Sequence, residues 1–206
     1  MPTLNSEVAT NGIGSGSNRL KIDANGQVKL EGAATQWDDI VGSVNGVKLD
    51  DAVGKVEFNF TEGTLTFESG GSITNNSDCI WFNLQKPHSC KAASMLKMHI
   101  HYDKADATAR VFTLQYRIQA NGVAKTTAWT TITTTTNTTN DVFPYTSGTI
   151  NQIVRFPDID WSTVGISTTV QFKMARTDAL SGNVEVSFVD GHFESDSLGS
   201  NEEYVK

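Results

Sequence analysis

The sequence is poor in the residues that staple or interrupt a chain. Its 206 residues include two cysteines, Cys79 and Cys90, and four prolines. The cysteine spacing fits neither a Cys-x-x-Cys redox pair nor a zinc-ligand set, and a disulfide between the two requires that their strands lie close. Two free thiols are expected in a reducing cytoplasm. Basic residues are also scarce: 16 Lys and Arg stand against 23 Asp and Glu, a net charge of −7. With no basic run, such a chain repels phosphate backbones, which argues against nucleic acid as a partner. No apolar run approaches the ~20 residues that a membrane-spanning helix needs. The opening Met1-Pro2-Thr3-Leu4-Asn5-Ser6-Glu7 lacks the basic-then-apolar pattern of an export signal, which predicts synthesis and retention in a cytoplasm. No Gly-x-Ser-x-Gly elbow, phosphate-cradling loop or patterned Cys–His pair occurs, so neither enzymatic activity nor a cofactor is expected.

What the chain has is apolar alternation. Apolar residues make up 38% of it, with 10 Phe and 4 Trp, enough to fill the inside of a sandwich. Val56, Phe58 and Phe60 alternate with polar neighbours, as do Phe112, Leu114, Tyr116 and Ile118, and Val184, Val186 and Phe188. A period of two marks strands. The pattern predicts strands near 40–49, 54–60, 64–68, 79–85, 96–102, 110–119, 126–135, 149–157, 168–176 and 183–195. Turn residues separate them, among them Glu62-Gly63, Ser69-Gly70-Gly71, Asn121-Gly122 and Ser181-Gly182-Asn183. No helical period intervenes, so the expected fold is all-β, an antiparallel sandwich of jelly-roll type. The Thr run from Thr126 to Thr139 reads as an edge strand through Thr135, because Thr is β-branched.

Three regions are expected. Residues 1–17 are rich in Gly, Ser and Asn and read as an extended arm that orders on a partner. Residues 18–36 hold Leu20, Ile22, Val28 and Leu30 on either side of Ala24-Asn25-Gly26, a hairpin signal. An isolated hairpin is marginal in water, so those four apolar residues must pack on the main domain or on copies of themselves. Residues 37–206 form the sandwich.

The four histidines are the obvious candidates for chemistry. His99 and His101 lie two apart on a predicted strand and share a face. His192, on the last strand, is a candidate third ligand for a transition metal. The competing expectation is hydrogen bonding between strands or subunits. Trp37, Trp129 and Trp161 are candidates for a carbohydrate platform, with Trp81 beside them in type; core or interface packing is the alternative. Asp38-Asp39 beside Trp37, and Asp158-x-Asp160 before Trp161, read as turn and capping residues at strand ends.

Two stretches resemble known proteins. Asn18-Arg19-Leu20-Lys21-Ile22-Asp23-Ala24-Asn25-Gly26-Gln27-Val28 is similar to a hairpin common in phage head and tail fibres, where it often sits in a trimeric, interwoven shaft. The ending from Asp190-Gly191-His192-Phe193 to Glu203-Tyr204-Val205-Lys206 resembles that of a family of phage and prophage structural proteins. That family also carries blocks matched here by Trp37-Asp38-Asp39, by Pro87-His88-Ser89-Cys90 and by His99-Ile100-His101-Tyr102. The four blocks occur in the family's order across residues 37–206. Cys90, Tyr102 and Asn201 depart from it, standing where the family has Tyr, Trp and Arg. The resemblance implies a structural component of a tailed-phage virion, a head-fibre, tail-fibre or decoration protein assembled in the host cytoplasm. Implied partners are capsid, collar or tail proteins and further copies of the chain, with a trimer favoured. A module that binds a host surface glycan is the rival reading, and a cupin-like metal protein a third.

Overall fold

Alternation becomes strands along most of the chain. The computed structural model describes residues 13–24, 26–43, 54–105, 108, 110–134 and 152–198. These contain thirteen strands: β1 (Ile13–Ser15), β2 (Asn18–Ile22), β3 (Val28–Glu31), β4 (Gln36–Ser43), β5 (Val56–Asn59), β6 (Thr64–Phe67), β7 (Ile80–Gln85), β8 (Lys97–Asp103), β9 (Phe112–Gln119), β10 (Thr130–Thr133), β11 (Gln152–Arg155), β12 (Thr169–Arg176) and β13 (Val184–Ser195). Among the described residues there is no α-helix, and therefore none long and apolar enough to cross a membrane.

The pairing is that of a rolled-up antiparallel ribbon. β9 pairs with β10, β8 with β11, β7 with β12, and β6 with β13. Successive pairs fall in alternate sheets, ordered β10-β9-β12-β7 in one and β11-β8-β13-β6-β5 in the other. This is the jelly roll expected from the sequence. The Thr-rich strand β10 takes an edge, as its composition predicts; the end of that run lies outside the described residues.

The two sheets meet through one core. Met98, Ile100 and Tyr102 of β8, Val186, Val189 and Phe193 of β13, and Leu65 and Phe67 of β6 face Phe82, Phe112, Leu114, Phe172 and Met174 of the smaller sheet. Phe112 spans the gap, edge-on to Phe67 at 5.7 Å and tilted against Tyr102 at 5.8 Å. Burying side chains of this size stabilises the fold by ~1.5–3 kcal/mol each. At one end Arg176, fully buried, ties the turn before β13 to β6. Its guanidinium meets Asp178 Oδ1 at 2.8 Å and donates to the carbonyls of Phe67, Leu180 and Gly182.

β13 is the spine of the larger sheet. Its first residues pair with β6, while its remainder, after a register shift between Val186 and Phe188, pairs with β4. β8 flanks it on the other side from Glu185 to His192. Gly191 makes that fit possible: a Cβ there would lie 2.7 Å from Leu96 Cδ1 and 2.8 Å from Met98 Sδ.

Two expectations need correction. Trp37, Asp38 and Asp39 lie within β4 and not in a turn before a strand at residue 40. As the flank of β13, β4 carries polar residues that an apolar-alternation rule passes over. The end of the range predicted for that strand, from residue 44, lies outside the described residues. The arm predicted for residues 1–17 is also too long, because Ile13–Ser15 pairs with β2 as β1. Gly16 at φ 59° makes the two-residue loop Gly16-Ser17 a tight hairpin turn. Residues 1–12 of the predicted arm lie outside the described residues.

β1, β2 and β3 form a separate small sheet. It docks on the chain beyond β13 by its outer edge: Leu30 N donates to Asp196 O at 2.6 Å, and Lys29 bridges to Ser197. One face is charged, with Arg19 and Lys21 both on Glu31 and Lys29 on Asp23. The other is apolar. Leu20 pairs with Ile13 and with Leu30, and Ile22 pairs with Val28.

Candidate functional site

Strand alternation decides where the histidines point. Met98, Ile100 and Tyr102 enter the core, so His99 and His101 face outward from the larger sheet. On β13, Gly191 and Phe193 face inward, which turns Asp190 and His192 to the same outer surface. Register does the rest. Asp190 sits opposite His99, and His99 opposite Arg155 of β11. His192 lies between Lys97 of β8 and Asp39 of β4, and His101 opposite Phe188.

The result is a histidine–carboxylate cluster. His99 Nε2 lies 2.7 Å from Asp190 Oδ1, and His101 Nε2 3.6 Å from Asp190 Oδ2. His192 turns away, its Nε2 2.8 Å from Asp39 Oδ1, while its ring stands edge-on to His99 at 4.6 Å. His99 is 5% exposed and Asp190 8%. Despite the short contact, Asp190 Oδ1 makes no hydrogen bond: the His99 ring nitrogen approaches it without donor geometry. The cationic residues level with His192 and His99, Lys97 and Arg155, are engaged elsewhere. Lys97 Nζ rests 4.3 Å above the Trp37 ring, and Arg155 reaches Asp158 at 3.3 Å. Trp37, Lys97, His99, Ile153, Arg155 and His192 line an open cleft of about 430 Å³ that meets the cluster at His99 and His192.

Farther along the same face a second acidic group forms. Glu185 accepts from Thr64 Oγ1 at 2.7 Å and Thr66 Oγ1 at 2.8 Å. Burial, and then the charge of Glu185 opposite, raise the Asp103 carboxyl above its ordinary range.

The structure separates the tryptophans. Trp161 is fully buried in the core and has no surface to offer a sugar, which removes it from the predicted platform. Its side chain packs edge-on to Phe193 and under Lys86, whose Nζ donates to the Trp161 carbonyl. Trp129 is half-buried, T-shaped against Trp81 at 5.7 Å on the outer face of the other sheet, with Arg117 above it. Trp37 alone of the three is exposed, at the cleft. Cys79 and Cys90 are both buried and are not joined to each other.

The His99-x-His101 pair was legible from its spacing, while Asp190, Asp39, Lys97 and Arg155 were not singled out as partners. A signal for two of them was present. Asp190 and Asp39 belong to the sequence blocks that prompted the phage resemblance. All four blocks meet along β13: Trp37-Asp38-Asp39 pairs with His192–Glu194, His99-Ile100-His101 with Phe188–Asp190, and Cys90 bridges to Ser195. His88, from the remaining block, is held apart from the cluster by Ser167 Oγ at 2.8 Å.

Fold and site together define a jelly-roll β-sandwich protein with a histidine–carboxylate cluster on its outer face. No protein-family model matches the chain, and no curated protein does. Among solved structures it is similar to dimeric latent PorU from Porphyromonas gingivalis, at 11% identity and a TM-score of 0.31. The match covers 91% of this chain and 14% of that one.

Proposed function

We propose that the chain is a non-enzymatic structural protein of a tailed-phage virion that assembles with copies of itself, as a trimer, through its N-terminal sheet. The observation that carries the self-association is the apolar face of that sheet. Ile13 is 63% exposed, Leu20 41% and Ile22 42%, while the charged Arg19 and Lys21 between them are the better-covered residues. A strand that turns its apolar side to water is oriented for a partner. The same face on each copy meets around a symmetry axis, which also shields the strand edges. The virion assignment rests on the sequence blocks and on a rigid jelly roll suited to standing outward from a particle. Capsid, collar or tail proteins are the partners this reading assigns.

Sedimentation equilibrium tests the assembly. The full chain is expected at three times its monomer mass, and Leu20→Asp with Ile22→Asp at the monomer mass with an unchanged far-UV spectrum. A monomeric wild-type chain at high micromolar concentration sinks this reading. Peptide mass spectrometry of purified particles tests the virion assignment, which fails if the chain is absent from them. A glycan-binding reading draws on Trp37 alone, exposed beside Lys97 and Arg155, and predicts hits on a glycan array that Trp37→Ala removes.

A further inference from the structure

We infer that His99, His101 and Asp190 form a binding site for a first-row divalent transition metal, with coordination positions left open toward the cleft. The site goes beyond the assembly role and does not depend on it. Three observations support it. The ligand atoms of these residues all lie within 4.8 Å of one another. Bound at ~2.0–2.1 Å, the ligands of a tetrahedral zinc stand roughly 3.3 Å apart. The 2.7 Å and 3.6 Å nitrogen–oxygen separations bracket that distance. They run to the two different oxygens of Asp190, so side-chain rotation is what brings one of those oxygens and both imidazole nitrogens onto one cation.

The second observation is the carboxylate itself. The Asp190 side chain is only 11% exposed, and its Oδ1 accepts no hydrogen bond. A buried carboxylate oxygen without a donor is costly, by several kcal/mol for an ion. Among the described residues no Lys or Arg forms an ion pair with it: Lys97 is turned to Trp37 and Arg155 to Asp158. A divalent cation satisfies the carboxylate and both imidazole lone pairs together. Two neutral imidazoles and a carboxylate suit Zn²⁺, Fe²⁺ or Mn²⁺ better than the oxygen-seeking Ca²⁺ or Mg²⁺.

The third is rigidity. His99 and Asp190 face each other across neighbouring strands β8 and β13, and Gly191, packed against Leu96 and Met98, locks the segment beside Asp190. Ligands borne on strands of a packed sheet lose little freedom on binding. His192 stays with Asp39 and completes the wall without joining the set.

The test is titration of chelator-stripped full-length protein with ZnSO₄ by calorimetry, and with CoCl₂ by visible absorption. One saturable site per chain is expected, with a d–d band of tetrahedral or five-coordinate cobalt. His101→Gln and Asp190→Asn should each weaken binding more than tenfold. His88→Gln, which removes a histidine held by Ser167, should leave binding unchanged. Far-UV spectra and melting curves of each variant establish that it folds, and His101→Gln, at the less buried ligand, serves where Asp190→Asn does not. No saturable binding by the wild type, or equal binding by folded wild-type and His101→Gln proteins, overturns the site.

Discussion

Gly191→Ala is a sharp probe of the packing that aims the cluster. The added methyl would lie 2.7 Å from Leu96 Cδ1 and 2.8 Å from Met98 Sδ. Carbon atoms in contact prefer ~3.5–4.0 Å, so about 1 Å must be recovered by movement. Neither neighbour has room to swing, because Leu96 and Met98 are both fully buried. Overpacking of this kind costs ~1–3 kcal/mol. Against it, Ala restricts the unfolded chain and returns ~0.4–1 kcal/mol. The net expectation is a loss of about 1–2 kcal/mol, or roughly 2–8 °C in Tm for a domain of this size. Urea denaturation followed by tryptophan fluorescence measures it, since Trp161 lies within the core. Pairing the substitution with Leu96→Ala makes room for the methyl, so the double variant should be more stable than the sum of single effects predicts, by about 1 kcal/mol. A Gly191→Ala protein as stable as wild type, or additive single effects, would refute the argument that close approach requires glycine here.

Acid should loosen the Arg176 clamp. Burial alone would raise the Asp178 carboxyl, but hydrogen bonds from Arg176, Val111 N and Leu180 N, with the Arg176 charge, hold it below its ordinary range. The clamp's contribution is therefore complete above the unfolded carboxylate pKa, near 3.9, and is lost as pH falls through the lower folded value. Asp178→Ala leaves a buried guanidinium without its counter-ion and should cost ~3–5 kcal/mol at pH 7; a loss under 1 kcal/mol would remove the clamp from the account. Burial pushes the Cys79 thiol up to about 11, so the folded protein should resist thiol reagents at pH 8 and label only in denaturant. Rapid labelling of Cys79 in native buffer would contradict its burial.

The body of the fold was legible because β9 alternates over all eight of its residues, and β12 and β13 alternate through Thr169–Met174 and Val184–Phe188. Pairing order was not legible, since nothing local in β6 marks β13 as its neighbour. β1 was hidden because its Ile13-Gly14-Ser15 has a single apolar residue, and only the Gly16 turn supports it. The cluster was half legible. His99 and His101 announce a shared face, but whether His192 or Asp190 approaches them depends on the register of β13, where the shift after Val186 decides which side chains come level. Trp161 failed as a surface residue for the same reason: exposure belongs to the tertiary fold, and its ring met Phe193.

The rolled ribbon has a consequence for the nascent chain. β13 is the last of the described strands to be synthesised, yet it belongs in the middle of its sheet, between β8 and β6. Until it arrives, both neighbours present open hydrogen-bonding edges, and the aromatic interior lacks Phe193. Such edges invite pairing between incomplete chains. Insertion of that one strand closes the gap, covers the interior and delivers Asp190 to the two waiting imidazoles in a single event.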